Sequence, residues 1–148
     1  MLNFTSYRPT LEISFTSIII LDVSYVEWLE SAISELRRAE ERMSSGDHAY
    51  ACFHAEQAAQ FALKALLLRH GAFMRTHDLV LLYSRARAYG LEADVDERDL
   101  RELMIHYFAS RYPDARRRYQ IVYNEHLARR MIDIARRIVE EVRACLKA

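Results

Sequence analysis

The chain has 148 residues, 51% of them hydrophobic and 28% charged. That composition excludes a disordered chain and suits one domain large enough to bury a core without staples. Acidic and basic residues balance at 21 each, which excludes a uniformly basic nucleic-acid coat protein and leaves any nucleic-acid contact to local clusters.

Residues 11–23 (LEISFTSIIILDV) are apolar but too short to cross a bilayer, and Glu12 interrupts them. No basic start or small-residue cleavage site marks a secretory signal. The β-branched run at 16–20 predicts an extended stretch. Residues 1–23 therefore read as an N-terminal extension, packed on the body of the protein or on a second subunit. Cys52 and Cys145 lie in apolar helical surroundings, which suits free thiols in a cytoplasmic protein with no membrane contact.

From Ser24 to the C-terminus the pattern is helical. Ser24 is placed to cap a first helix with an apolar stripe of Tyr25, Trp28, Leu29, Ala32, Ile33 and Leu36. Gly46 then Asp47 suggest a stop and a new cap. The second helix, ending at Gly71, is apolar or small on nearly every side, so it runs through the interior. Yet it carries Glu56, Gln57, Gln60 and Lys64, and a buried polar atom left unpaired costs about 1–3 kcal/mol.

Thr76 reads as the cap of a third helix bearing Leu79, Leu82 and Tyr83, which stops at Gly90. A fourth begins near Asp96 and runs through Leu100, Leu103, Met104 and Tyr107 to about Arg111, where Pro113 ends it. Residues 113–123 read as a loop. Asn124 caps the last helix, whose inner face holds Leu127, Met131, Ile134, Ile138 and Val142. Its outer face offers the pairs Asp133–Arg137 and Arg136–Glu140. The sum is an all-α protein: an antiparallel bundle of about five helices over 24–148, with an extended N-terminal segment over 1–23.

The buried A-E-Q-A-A…L-K-A-L helix, then T-H-D-L, then Arg111-Tyr112-Pro113-Asp114, in that order and at this length, resembles the HEPN family of small prokaryotic helical proteins. The resemblance begins near Tyr25. It implies a helical bundle, usually a homodimer, often paired with a minimal nucleotidyltransferase in a two-component toxin–antitoxin or defence-type system. Many members are metal-independent ribonucleases with an R-x4-6-H motif, described at the dimer axis, which Arg101 and His106 match in spacing. The chemistry suits the pair. Histidine can serve as acid or base near neutral pH, and arginine can stabilise charge on a phosphate. An ideal helix separates the two by about 140° around its axis. Arg101 is also spaced to pair with Glu97, and His106 can equally be a core histidine. Tyr107 directly follows the histidine, with Phe108 where some toxins place a tyrosine, and Glu102 follows the arginine. These departures favour the alternative of a non-catalytic nucleotide-binding or protein-interaction module.

Gln57 and Lys64, seven apart on one helix face, are candidates for a base or ribose and for a phosphate; they are equally suited to satisfy polar groups inside the bundle. Arg111, with Arg116, Arg117 and Arg118, makes the densest basic cluster, beside Tyr112, Tyr119 and Tyr123 as planes for stacking bases of RNA. In Arg75-Thr76-His77-Asp78 the expected roles are structural, with His77 packing at a helix start. The histidines and cysteines lack metal-ligand spacings, and three scattered glycines build no phosphate loop, so neither metal nor cofactor is implied.

Overall fold

The computed structural model describes residues 14–147, with side chains from Tyr25 to Lys147. Seven α-helical segments occur among the described residues: α1 (Ser14–Ser44), α2 (His48–Arg69), α3 (Leu79–Ala86), α4 (Glu97–Met104), α5 (His106–Ala109), α6 (Pro113–Arg118) and α7 (Glu125–Lys147). A 3-10 turn, Arg87–Tyr89, follows α3. The described residues form an all-α bundle with no strand.

The central helix is α2, packed mainly against α1 and α7. Ala51, Ala55, Ala58, Ala59, Ala62 and Ala65 are wholly buried along it. Their small side chains let neighbouring backbones close in, while Leu63, Leu66 and Leu67 fill the space between. Asp47 caps α2 through the Tyr50 amide, at 3.3 Å. Gly71 leaves it at φ +71°, a left-handed geometry that costs a side-chain-bearing residue about 1–2 kcal/mol. The last helix, α7, has a cleanly amphipathic sequence, and Met131, Ile134, Ile138 and Val142 reach the core. Asn124 caps it by accepting from the Leu127 amide at 2.9 Å.

Several local expectations are corrected. The expected N-terminal extension lies outside the described residues as far as residue 13. From Ser14 the backbone is helical, so 16–20 forms helix and Ser24 lies inside α1, not at its cap. Propagating a helix from an existing nucleus costs little, and this outweighs a modest β preference. Asp78, not Thr76, caps α3, accepting from the Leu81 amide at 3.1 Å; the Thr76 hydroxyl instead accepts from the Asp78 amide. The expected fourth helix is two. It opens on a reciprocal capping box between Asp96 and Asp99, then breaks at Ile105. Ile105, His106, Tyr107 and Phe108 are all middling or poor helix formers in succession.

The expected loop at 113–123 contains α6. Pro113 stops the preceding helix and also starts the next, because its fixed φ suits a first helical position. Tyr112 before it is extended, at φ −116° and ψ 118°. On α7, Arg137 pairs with Asp133 as its spacing requires, but Arg136 reaches across to Glu40 on α1 and not to Glu140.

Candidate functional site

The polar residues of α2 form a connected line. Lys64 Nζ donates to Gln60 Oε1 at 2.9 Å, and Gln60 Nε2 donates to Glu56 Oε2 at 2.8 Å. Glu56 is wholly buried, Gln60 2% exposed and Lys64 8%. Burial pushes the Glu56 carboxyl up to about 8, against the opposing pull of the Gln60 hydrogen bond, Lys64 and Arg111. Burial likewise lowers the Lys64 ammonium, while Glu56 raises it and Arg75 lowers it further. Glu56 Oε1 and Gln57 Oε1 are buried with no hydrogen-bond partner among the described residues. A proton on Glu56 turns one of those acceptors into a donor.

Aromatic rings gather cations around this line. Lys64 and Arg75 share the Phe73 ring, 5.9 and 5.7 Å from its centroid, and Lys64 also lies 5.8 Å from Trp28. Arg111 and His77 share Tyr107: the guanidinium is 4.7 Å from its centroid and the imidazole stacks on it at 4.0 Å. Arg111 further lies 4.9 Å from Phe53. The spacing of Phe53, Gln57, Gln60 and Lys64 keeps them on one face of α2. The α5 region and the α2–α3 connection bring the other groups to it. His77 is held below its ordinary value, first by burial and then by Lys64 and Arg111.

The basic groups of this face differ from those arginines that an acid neutralises. Arg38, Arg42, Arg101, Arg129, Arg130, Arg136 and Arg137 each pair with a carboxylate. Among the described residues Lys64, Arg75 and Arg111 pair with none.

Arg101 and His106 stand apart. Arg101 is solvent-exposed on α4, with Nε and Nη2 donating to Glu97 Oε2 at 2.8 and 2.6 Å. His106, beyond the break at Ile105, is 1% exposed, and its Nδ1 shares a 2.8 Å hydrogen bond with the Tyr123 hydroxyl. Burial lowers the imidazole to about 4 and raises the Tyr123 phenol. Cys52 is also buried and pushed up to about 12. A histidine so placed is neutral at physiological pH and out of reach of solvent.

Nor do the arginines of α6 act together. Arg116 points inward, donating to the Ala109 and Ser110 carbonyls at 3.2 and 2.9 Å. Arg117 and Arg118 are exposed. Arg118 joins Phe108, Tyr112, Asp114, Ala115 and Tyr119 around a surface groove, while Tyr123 is committed to His106. Among the described residues no three His, Cys, Asp or Glu side chains gather as metal ligands, and no helix is long and apolar enough to cross a membrane.

The HEPN domain model matches residues 25–145. The chain belongs to the HEPN family. Its bundle superposes on the crystal structure of TT1696 from Thermus thermophilus with a TM-score of 0.67 and 32% identity, over 82% of this chain and 97% of that one. ST0689, an archaeal HEPN homologue, matches with a TM-score of 0.59 and 25% identity, over 81% and 95% of the two chains. A HEPN domain protein from Thermotoga maritima shares the fold, with a TM-score of 0.60 and 21% identity over 82% and 98%. No curated protein matches the chain.

Within this HEPN bundle, the sequence pattern singles out Gln57, Lys64 and Arg111 but misses Phe53, Phe73, Arg75 and Tyr107, and it gives His77 a packing role only. The i, i+4, i+7, i+11 spacing of Phe53, Gln57, Gln60 and Lys64 is the available signal. The ring-sharing pairs have none, because they join segments distant in sequence.

Proposed function

We infer that this protein is a nucleotide-binding HEPN module and not a ribonuclease, acting in a two-component toxin–antitoxin or defence-type system beside a minimal nucleotidyltransferase. The observation that carries the reading is the face formed by Lys64, Arg75, His77 and Arg111. Cations there are held by aromatic rings and left without carboxylate partners in a protein of zero formal net charge. Ionic ligands of opposite sign bind where charge is concentrated and uncompensated, and aromatic edges beside it suit a nucleobase.

The burial of His106 argues against the metal-independent ribonuclease reading. A second copy of the chain can cover Arg101 but cannot bring a core histidine to the surface. The exposed Phe108, Tyr112, Tyr119 and Val122 supply apolar area for a homodimer contact or for the nucleotidyltransferase.

Calorimetric titration with ribonucleotides tests the reading, alongside RNA incubation with and without chelator. Binding is expected for the wild type, with no RNA cleavage. Cleavage abolished by both Arg101→Ala and His106→Ala, in variants that stay folded, would establish the ribonuclease reading instead. Co-purification with the product of an adjacent nucleotidyltransferase reading frame tests the partner.

A further inference from the structure

We propose that Lys64, Arg75, His77 and Arg111 receive the phosphate end of a nucleotide as a dianion, and that His77 takes up a proton as the phosphate enters. This rests on the nucleotide-binding reading and specifies which part of the ligand the face holds.

The arrangement of donors favours a phosphate over a planar carboxylate or a base. Two rings each hold two cationic or titratable groups. Phe73 carries Lys64 from α2 and Arg75 from the α2–α3 connection. Tyr107 carries Arg111 from just beyond α5 and His77 from that same connection. The donors thus arrive from three segments, which suits a tetrahedral group with oxygens in several directions.

Their hydrogen-bonding capacity is only partly used. Lys64 spends one of its donors on Gln60. Arg111 uses Nε and Nη2 on the Tyr107 carbonyl, at 3.0 and 2.6 Å, which fixes the guanidinium and leaves Nη1. Arg75 is exposed and has no hydrogen-bond partner among the described residues.

Among the described residues no acid forms an ion pair with these cations. Glu56 lies beneath the face, wholly buried, and keeps its proton up to about 8. Asp78 follows His77, but its carboxylate accepts from the Leu81 amide as the cap of α3. His77 thus faces the Tyr107 and Phe108 rings of α5, Lys64 from α2 and Arg111 just beyond α5, with Arg75 and Asp78 beside it in sequence on its own connection. Burial first, and then Lys64 and Arg111, disfavour the protonated imidazole. A phosphate among the same cations reverses the local field, so His77 becomes the group that accepts a proton.

The test uses the full chain and the four ribonucleoside 5′-monophosphates with their parent nucleosides. Proton NMR follows the His77 ring, assigned with His77→Gln. Each monophosphate that binds is expected to raise the His77 titration midpoint, and its parent nucleoside to bind at least tenfold more weakly. Arg75→Gln, on an exposed side chain, is expected to weaken monophosphate binding about tenfold without changing the fold. If nucleosides bind as tightly as monophosphates, or if bound monophosphate leaves the His77 midpoint unmoved, the phosphate assignment is wrong while nucleotide binding stands. If neither nucleosides nor monophosphates bind, the underlying reading fails with it.

Discussion

Glu56→Gln is expected to stabilise the protein at neutral and alkaline pH and to leave it nearly unchanged in mild acid. The folded carboxyl is raised from its ordinary value of 4.5 to about 8, chiefly by burial. Below about pH 4.5 both folded and unfolded states hold the proton, and no stability is lost through this group. As pH rises toward 8 the unfolded chain releases its proton first, so stability falls. At pH 7.5 the difference spans about three pH units at about 1.4 kcal/mol each, or about 4 kcal/mol. Glutamine keeps an oxygen for Gln60 Nε2 and cannot ionise. For a chain of this length the gain corresponds to about 8–16 °C in Tm. Thermal unfolding followed by circular dichroism from pH 5 to pH 9 reads it directly: the wild-type and variant curves should meet near pH 5 and separate steadily above it. A variant less stable by a constant amount throughout, or by more as pH rises, would refute the reasoning. It would mean that Glu56 is ionised and that Lys64 and Arg111 hold its charge.

His106 gives the opposite pH signature. Its folded value of about 4 lies below the unfolded value of about 6.5, so the contribution of its neutral form is lost as pH falls through that window, about 3 kcal/mol in all; His106→Gln should flatten that limb of the stability profile. Tyr123→Phe removes the partner of the buried imidazole and is expected to cost about 1–3 kcal/mol by chemical denaturation, with no cost implying that water replaces the hydroxyl. Arg116→Ala, which strips donors from the Ala109 and Ser110 carbonyls, should cost about 1–3 kcal/mol. Arg117→Ala should stay within about 0.5 kcal/mol, so equal losses from the two would contradict the inward role of Arg116. Asp96→Ala breaks the capping box of α4 and should cost about 1 kcal/mol, without affecting ligand binding.

Helix boundaries are legible where a single residue type enforces them. Asp47, Asp96 and Asn124 cap as their chemistry requires, and Gly46, Gly71 and Gly90 all adopt positive φ. The interior course of α2 is legible because its sequence has no polar face to offer water. The break at Ile105 is not, since a short run of middling helix formers resembles a continuous helix until tertiary packing turns His106 inward. Pro113 signals a stop in sequence, although the same fixed φ equally serves a start. The site is half legible: Gln57 and Lys64 share a face by periodicity, but Arg75 and Tyr107 join it only through folding. Arg136 shows the limit of local rules, because Glu40, in another helix, takes the place that the i+4 Glu140 would have.

The cations around Phe73 and Tyr107 repel one another whenever no anion lies between them. The unliganded protein therefore falls short of the stability its core could support, and any ligand that supplies the missing charge raises its melting temperature by mass action. Melting temperature can then serve as a chemical sensor. Measured across a library of anionic metabolites, at low ionic strength where the repulsion is least screened, the thermal shift would rank candidate ligands without any reaction being assumed. Added salt should shrink the shifts that arise from this face and spare those from apolar binding elsewhere.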